Sequence, residues 1–506
     1  MNSYILLLIV LIYFALLLGI AWYTSKNSNN DSFFIGNRNS KWWLVAFGMI
    51  GTSLSGVTFV SVPGTVGDFV GDDYKGFGYF QVVLGYFIGY FVVAYVLLPL
   101  YYRMKLTSIY VYLKERFGNF SYKTGALFFI LSRTVGATAR LYLVINVLQI
   151  FILDNIGIPF MVTTSLILLM ILLYTFEGGV KTIVYTDTLQ TAFMLLGLIL
   201  CVGYILYDLS MNPSEAMTAL GQHDYTQIFN TDISSKGFFL KQILGGMFIT
   251  ISMTGLDQEM MQKNISVKTL GDSKKNMLTF STIMVVVNFL FLLLGGLLYY
   301  YMLQKGAIYS GKTFINAEGQ NIIGDTLFPH VALNHLPAIF SVVFIIGLIS
   351  ALFPSADGAL TALTSSFCID ILGIKNNPDW NEQQQKKIRQ RVHLVFTFIF
   401  LLCIVVFKLI NDNSIIGIIL DLAGYTYGPL LGLFAFGILT KRKIHDAVMV
   451  VVICFAAPVL CYLLKHFSAD LFGGYQIGIE LLVINAAIVY TALLFISKKN
   501  SNPVRS

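Results

Sequence analysis

The sequence predicts an all-α protein that crosses a lipid bilayer about thirteen times. Three observations carry that prediction. Of 506 residues, 56% are hydrophobic and only 12% charged, against roughly 25% charged in a soluble domain; mean hydropathy is +0.74. Apolar windows of about 20 residues, enough to span a bilayer as a helix, recur from end to end. They lie near 4–24, 42–63, 77–102, 124–153, 159–177, 183–207, 237–260, 277–304, 336–369, 392–410, 415–439, 446–464 and 477–497. Basic residues then fall on one side. With the N-terminus outside, the clusters Lys114–Arg116, Lys263–Lys275, Lys386–Arg391 and Lys441–Lys443 all lie in cytoplasmic loops. Only Lys75, Lys236, Lys305, Lys312 and Lys465 sit in outer loops. Cytoplasmic loops carry the excess of Lys and Arg, so the expected protein is multi-pass in the cell's inner (plasma) membrane, N-terminus outside and C-terminus cytoplasmic.

The first window, Tyr4 to Tyr23, has no basic residue before it and no small-residue cleavage site, and reads as a retained helix. The five cysteines lie in or at the ends of apolar segments, with no metal-binding or disulfide spacing. The net charge of +7 follows from topology rather than from nucleic-acid binding. The longest loops, near 208–236 and 305–335, are too short for an enzyme domain. No Ser/His/Asp, HExxH or paired-Asp spacing supports catalysis, and no ring of pore-lining acids suggests a channel. The expectation is a transporter, not an enzyme.

The second window, WWLVAFGMIGTSLSGVTFVSVPGTVG from Trp42 to Gly67, is apolar yet crowded with Gly, Ser, Thr and Pro. Gly and Pro weaken a helix, and small hydroxyl residues compete for its backbone hydrogen bonds. Such a span reads either as a discontinuous helix whose freed carbonyls bind a cation or as a tightly packed helix with small residues at its contacts. Windows 2–6 and 7–11 number five each and begin on opposite sides of the membrane. Window 7 carries Gly245, Gly246 and Gly255, so it matches window 2 in position and in breakability. The expected organisation is one transporter domain over 1–506. Within it, 1–41 is a first span and loop, 42–208 one inverted repeat, 236–440 the second, and 441–506 two peripheral spans with a tail.

Ionisable side chains inside spans cost about 2.5–3.5 kcal/mol each at the bilayer centre, so each one needs a reason. They are Arg133, Arg140, Asp187, Lys241, Asp257, Glu259, Asp357, Lys408, Asp421 and Glu480. Lys241 and Lys408 lie near span ends and snorkel; Arg133 has the same route to the cytoplasmic side. Arg140 is too central and needs a partner, either a fixed carboxylate such as Asp187 or an anionic solute. Asp187 is either a functional acid or an acid favoured at a helix N-terminus. In window 9, Pro354 frees the carbonyl of Ser350 beside that of Ala351, and Ser355 and Asp357 add oxygen. An all-oxygen set suits a hard cation; the other reading is a proline kink with serine bonded back to its helix.

At these residues the chain resembles the sodium/solute symporter family, which includes sodium–glucose, sodium–proline and sialic acid transporters. The most specific marker is GGVKTIVYTDTLQ, Gly178 to Gln190. LDQEMMQK at 256–263, SADGAL at 355–360 and GPLLGLFAFGILTKR at 428–442 support it. The resemblance covers about residues 1–445. It implies a leucine-transporter-type core with an inverted five-helix repeat, and sodium influx coupled to uptake of a small organic solute.

Carried over residue by residue, the resemblance puts the main sodium site on the carbonyls of Gly51, Leu54 and Ala351, with Pro354 and the Ser355 hydroxyl. Pro354 departs from the family's common Ser, and Ser55 is a nearby substitute. Asp187 matches an acid linked to a second sodium in some members, and Asp357 stands where those members have Ser or Asp. The sugar transporters' acid in span 3 falls near apolar Val83, so a plain glucose site does not transfer. The polar candidates for solute are Thr58, Gln81, Tyr86, Arg140, Asp257, Gln258 and Asp421. The solute classes that fit are a sugar, a sugar acid such as sialic acid, or an inositol. Alternatives are uptake of an amino acid or another anion, or a sensor or channel built on the same membrane module.

Overall fold

A computed structural model of the chain describes residues 3–25, 30–67, 76–306, 308–310, 313–315, 321–322, 324–374, 380–410 and 415–498. Lys75 and Lys312, expected in outer loops, lie outside these residues.

Helices dominate because nearly every apolar window is long enough to satisfy its backbone internally, as a bilayer requires. α1 is Ser3–Ser25 and α2 is Trp42–Gly64. α3, Phe80–Val92, runs on through a π-helical turn at Val93–Leu97 to Arg103. α4 is Asn119–Leu148 and α5 Phe160–Asp208. α6, Phe239–Thr250, passes through a π-helical turn at Ile251–Gly255 into α7, Gln258–Ile265. α8 is Leu270–Gln304 and α9 Ala338–Ser366. α10 is Glu382–Ile410, α11 Ile415–Thr426, α12 Gly428–Leu439, α13 Val448–His466 and α14 Leu481–Ile496. Short antiparallel strands are the exceptions: Ile308–Ser310, Thr313–Ile315 and Asn321–Ile322 in one loop, and Lys443–Ile444 pairing Ser497–Lys498.

Among the described residues, nine helices are long and apolar enough to cross a membrane, or eleven if each bent pair counts as one span. The bent pairs are α6–α7, turning through 63°, and α11–α12, turning through 47°. Windows 5 and 13 form the shorter apolar helices Phe160–Phe176 and Leu481–Ile496. Windows 5 and 6 join without a loop: α5 bends at Gly179, whose φ of +53° and ψ of −147° suit glycine alone.

Three helices make the inner packing: α2, α5 and α9 contact one another, and α8 closes against α2. A Cβ on Gly347 of α9 would stand 2.8 Å from the Phe59 ring of α2, so only glycine permits this approach. Phe59 in turn packs on Phe291, Phe328 and Phe344 at centroid distances of 5.8, 5.3 and 5.8 Å. These contacts hold the second half of α2 rigidly against its neighbours.

Two side chains are not where a straight-helix count puts them. Lys263, counted with the cytoplasmic loops, is buried. The bend after α6 folds α7 back into protein, carrying the lysine with it. Arg133 does not snorkel either; it is buried and paired with Glu259 of α7.

Candidate functional site

The site begins at a break in α2. Ser55 has φ 39° and ψ 174°, in the middle of the helix. Positive φ is costly for a residue with a Cβ, and the neighbouring Gly51, Ser53, Gly56 and Thr58 offer little local resistance. Of the two readings of Trp42–Gly67, this backbone is the discontinuous helix. A break at residue 55 interrupts the i→i+4 ladder, in which the carbonyls of residues 51–54 pair with the amides of 55–58.

Beside the break lies a cavity of about 110 Å³, several times the roughly 10–15 Å³ one water needs. α2 contributes Ser53, Ser55 and Thr58; α3 contributes Tyr86 and Tyr90. Thr250 and Thr254 come from α6 and its π turn, Asn288 from α8, and Leu420 from α11. The Tyr79 and Tyr86 hydroxyls lie 3.2 Å apart. The lining thus combines several hydroxyls and the Asn288 amide with apolar side chains. From α4, Arg133 and Arg140 face it, seven residues apart and so on one helix face. They differ in one respect. Arg133 Nη2 bonds the Glu259 carboxylate, whereas among the described residues no carboxylate pairs with Arg140. Its expected fixed partner, Asp187, is taken by another cation.

That cation is Lys263. Its Nζ lies 2.7 Å from Asp187 Oδ2, 2.6 Å from Thr52 Oγ1 and 3.6 Å from Glu259 Oε1. The Thr52 hydroxyl also lies 3.1 Å from Asp187 Oδ2. A buried line of alternating charge therefore runs Arg133, Glu259, Lys263, Asp187 across α4, α7 and α5. Asp357 on α9 accepts from the Tyr174 hydroxyl at 2.7 Å and from the amide of Gly358.

The sodium-site candidates sit on the packed pair α2 and α9. Gly51 donates its amide to Thr191 Oγ1 at 3.0 Å, which fixes α2 against α5. The carbonyls of Gly51 and Leu54 belong to the turn that Ser55 interrupts. On α9, the Ser355 hydroxyl donates to the Leu352 carbonyl at 2.9 Å. This is the back-bonded serine, and it leaves the hydroxyl lone pairs available. Ala351, Pro354, Ser355 and Asp357 are all buried. The donor set is oxygen throughout, which fits a hard alkali cation.

The solute candidates divide. Thr58, Tyr86 and Arg140 line the cavity together. Gln81 instead donates to the Gly78 carbonyl at 3.0 Å and accepts from the Asn230 amide at 3.3 Å. Gln258 bonds the Thr107 carbonyl at 2.9 Å and the Ile109 amide at 3.0 Å, bracing the loop after α3. Asp257 caps α7, accepting the amides of Glu259 and Met260, and takes the Tyr427 hydroxyl at 2.8 Å. Asp421 points away: half exposed, it pairs with Lys465 at 2.5 Å. One residue turns a helix by about 100°, so Leu420 faces the cavity and its neighbour does not. Sequence reasoning missed Thr52 and Lys263; the signal for Lys263 was its place in LDQEMMQK, one turn after Glu259.

A model of the sodium:solute symporter family matches residues 33–454. The chain belongs to this family. A sodium/sialic acid symporter of Proteus mirabilis is 24% identical over 493 residues, covering 96% of this chain and 94% of that protein. The rabbit sodium/glucose cotransporter 1 is 21% identical, covering 86% of this chain and 68% of that one. Among solved structures, a sodium-coupled sialic acid symporter described in a substrate-bound outward-open state superposes with a TM-score of 0.80. It is 22% identical, and the match covers 98% of this chain and 99% of that one. The likeness is one of overall fold.

Proposed function

We propose that this symporter takes up a small, hydroxyl-rich organic acid of the sialic class, driven by sodium, with Arg140 receiving the carboxylate. The observation that carries this reading is Arg140 on the cavity wall with no carboxylate paired to it among the described residues, amid Ser, Thr and Tyr hydroxyls. An arginine offers a planar pair of donors matched to a carboxylate. Sodium would be held by the Gly51, Leu54 and Ala351 carbonyls and the Ser355 hydroxyl. Gly51 and Leu54 share the broken helix with the cavity-lining Ser53, Ser55 and Thr58, and α9 packs against it, so each ligand would order the element the other needs. That is a reciprocal coupling of the kind symport requires.

The remaining organisation is part of the same proposal. Residues 42–208 and 236–440 are read as inverted repeats, supported by the break at Ser55 and the 63° bend after α6 in matching first helices. The N-terminus is read as outside and the C-terminus as cytoplasmic, from the basic loops.

The test is uptake into proteoliposomes under an inward sodium gradient, offering N-acetylneuraminate, glucose and myo-inositol in parallel. The acid should accumulate only with sodium, and Arg140→Gln should reduce its uptake at least about a hundredfold, the cost of a charge-assisted bidentate contact. Sodium-driven uptake of a neutral sugar that Arg140→Gln leaves intact would make the arginine structural.

A further inference from the structure

We infer that a second cavity, between the ends of α3 and α12, binds an anionic phospholipid, with its phosphate on Arg103 and Arg116 and an acyl chain against the apolar lining. The inference is independent of the solute and of sodium. The ends of α3 and α12 and the short helix Val111–Arg116 enclose about 480 Å³, within the roughly 300–1,000 Å³ of small-molecule sites. Val96, Pro99 and Leu100 of α3 and Ile438 of α12 give the cavity apolar surface, and Arg103 and Arg116 give it two positive charges. Among the described residues no carboxylate lines it.

The two arginines play different parts. Arg116 Nε donates to the Gly437 carbonyl at 3.2 Å, and its Nη2 to the Thr440 and Arg442 carbonyls at 2.8 and 3.0 Å. These bonds pin the guanidinium at the end of α12 without neutralising it, since a carbonyl carries no net charge. Arg103 is exposed and makes no hydrogen bond or ion pair to a described residue, so its five N–H donors are open. Their planar fork suits a phosphate. The apolar lining asks for more than a phosphate. Val96 is 44% exposed, and Leu439, next to Ile438, is 73% exposed; apolar side chains so open at the end of a membrane span meet hydrocarbon. A free phosphate would leave that surface uncovered, and an uncharged lipid would leave two cations unmet. A phospholipid meets both needs, as basic pockets between spans do for anionic headgroups. A choline headgroup would bring a third cation to the two arginines.

The test titrates tritiated dioleoylphosphatidylglycerol onto the purified full chain in neutral detergent, beside dioleoylphosphatidylcholine, which has the same chains and no net charge. The wild type should hold the anionic lipid at least about tenfold more tightly, the worth of one hydrogen bond to a charged group. Arg103→Gln changes an exposed side chain that no described residue bonds, so the chain should still fold, and the preference should vanish. Lys387→Gln, an exposed charge on α10 that does not line the cavity, should keep it. Val96→Trp, which fills part of the apolar lining, should weaken both lipids. Millimolar glycerol phosphate, a headgroup without chains, should displace neither. Equal affinity for the two lipids would overturn the inference, as would a preference that survives Arg103→Gln. An equal loss in Lys387→Gln would overturn it in favour of general surface charge, and displacement by glycerol phosphate in favour of a site for soluble phosphate.

Discussion

Asp187→Asn tests whether the buried charge line is a linked unit. The substitution leaves the Lys263 ammonium against a neutral amide. At 2.7 Å and an effective dielectric near 20, the gross attraction lost is about 6 kcal/mol. Glu259 Oε1, at 3.6 Å, still offers about 5 kcal/mol of attraction on the same scale. The net loss should therefore fall at the lower end of the range for a broken buried pair, about 3 kcal/mol. Lys263→Met should cost more, about 4–5 kcal/mol, because it leaves Asp187 with the Thr52 hydroxyl and no cation. Removing both charges at once should cost far less than the sum, since a buried ion pair exchanged for neutral groups is often close to neutral. We expect a coupling energy of at least about 3 kcal/mol from the cycle. Equilibrium unfolding in mixed micelles measures it; Cys201, Cys368, Cys454 and Cys461 are buried, so a thiol-reactive dye reports the unfolded fraction. Losses that simply add, to within about 0.5 kcal/mol, would show that Asp187 and Lys263 do not depend on each other.

Three further outcomes follow from named contacts. Ser355→Ala should raise the half-saturating sodium concentration about tenfold while costing the fold only about 1 kcal/mol, since the lost bond to Leu352 is one neutral hydrogen bond; unchanged sodium activation of uptake would remove Ser355 from the ion site. Ser55→Gly should stabilise the chain by up to about 1–2 kcal/mol, relieving a positive φ that glycine adopts freely. Ser55→Val should destabilise by at least that much, and equal melting temperatures for the two variants would mean that α2 is not broken there in solution. Sodium at a hundred times its dissociation constant should stabilise the wild type by about 2.7 kcal/mol relative to the same ionic strength of potassium; identical melting curves in the two salts would count against a sodium site.

What could be read from sequence is what depends on composition and local backbone chemistry. The α2 break was legible because Gly, Ser and Pro act within one turn, whatever surrounds them. The position of Asp421 away from the cavity has the opposite origin. Which face of α11 meets the cavity depends on packing against α4 and α14, and one residue of rotation separates Leu420 from a surface ion pair with Lys465. Gln81, Gln258 and Asp257 take protein partners instead of lining the cavity for a related reason. An intramembrane polar residue reads from sequence as open to solute, yet in a bundle with two bent helices the freed backbone groups also need partners. Gln258 and Asp257 meet that need, at the loop after α3 and at the N-terminus of α7. Lys263 joins both lessons. A straight count of residues from the start of window 7 passes the membrane edge before reaching it. Only the 63° bend takes α7 off that line, and it falls between the π turn that ends at Gly255 and the Asp257 cap. The bend is therefore what brings a lysine to Asp187.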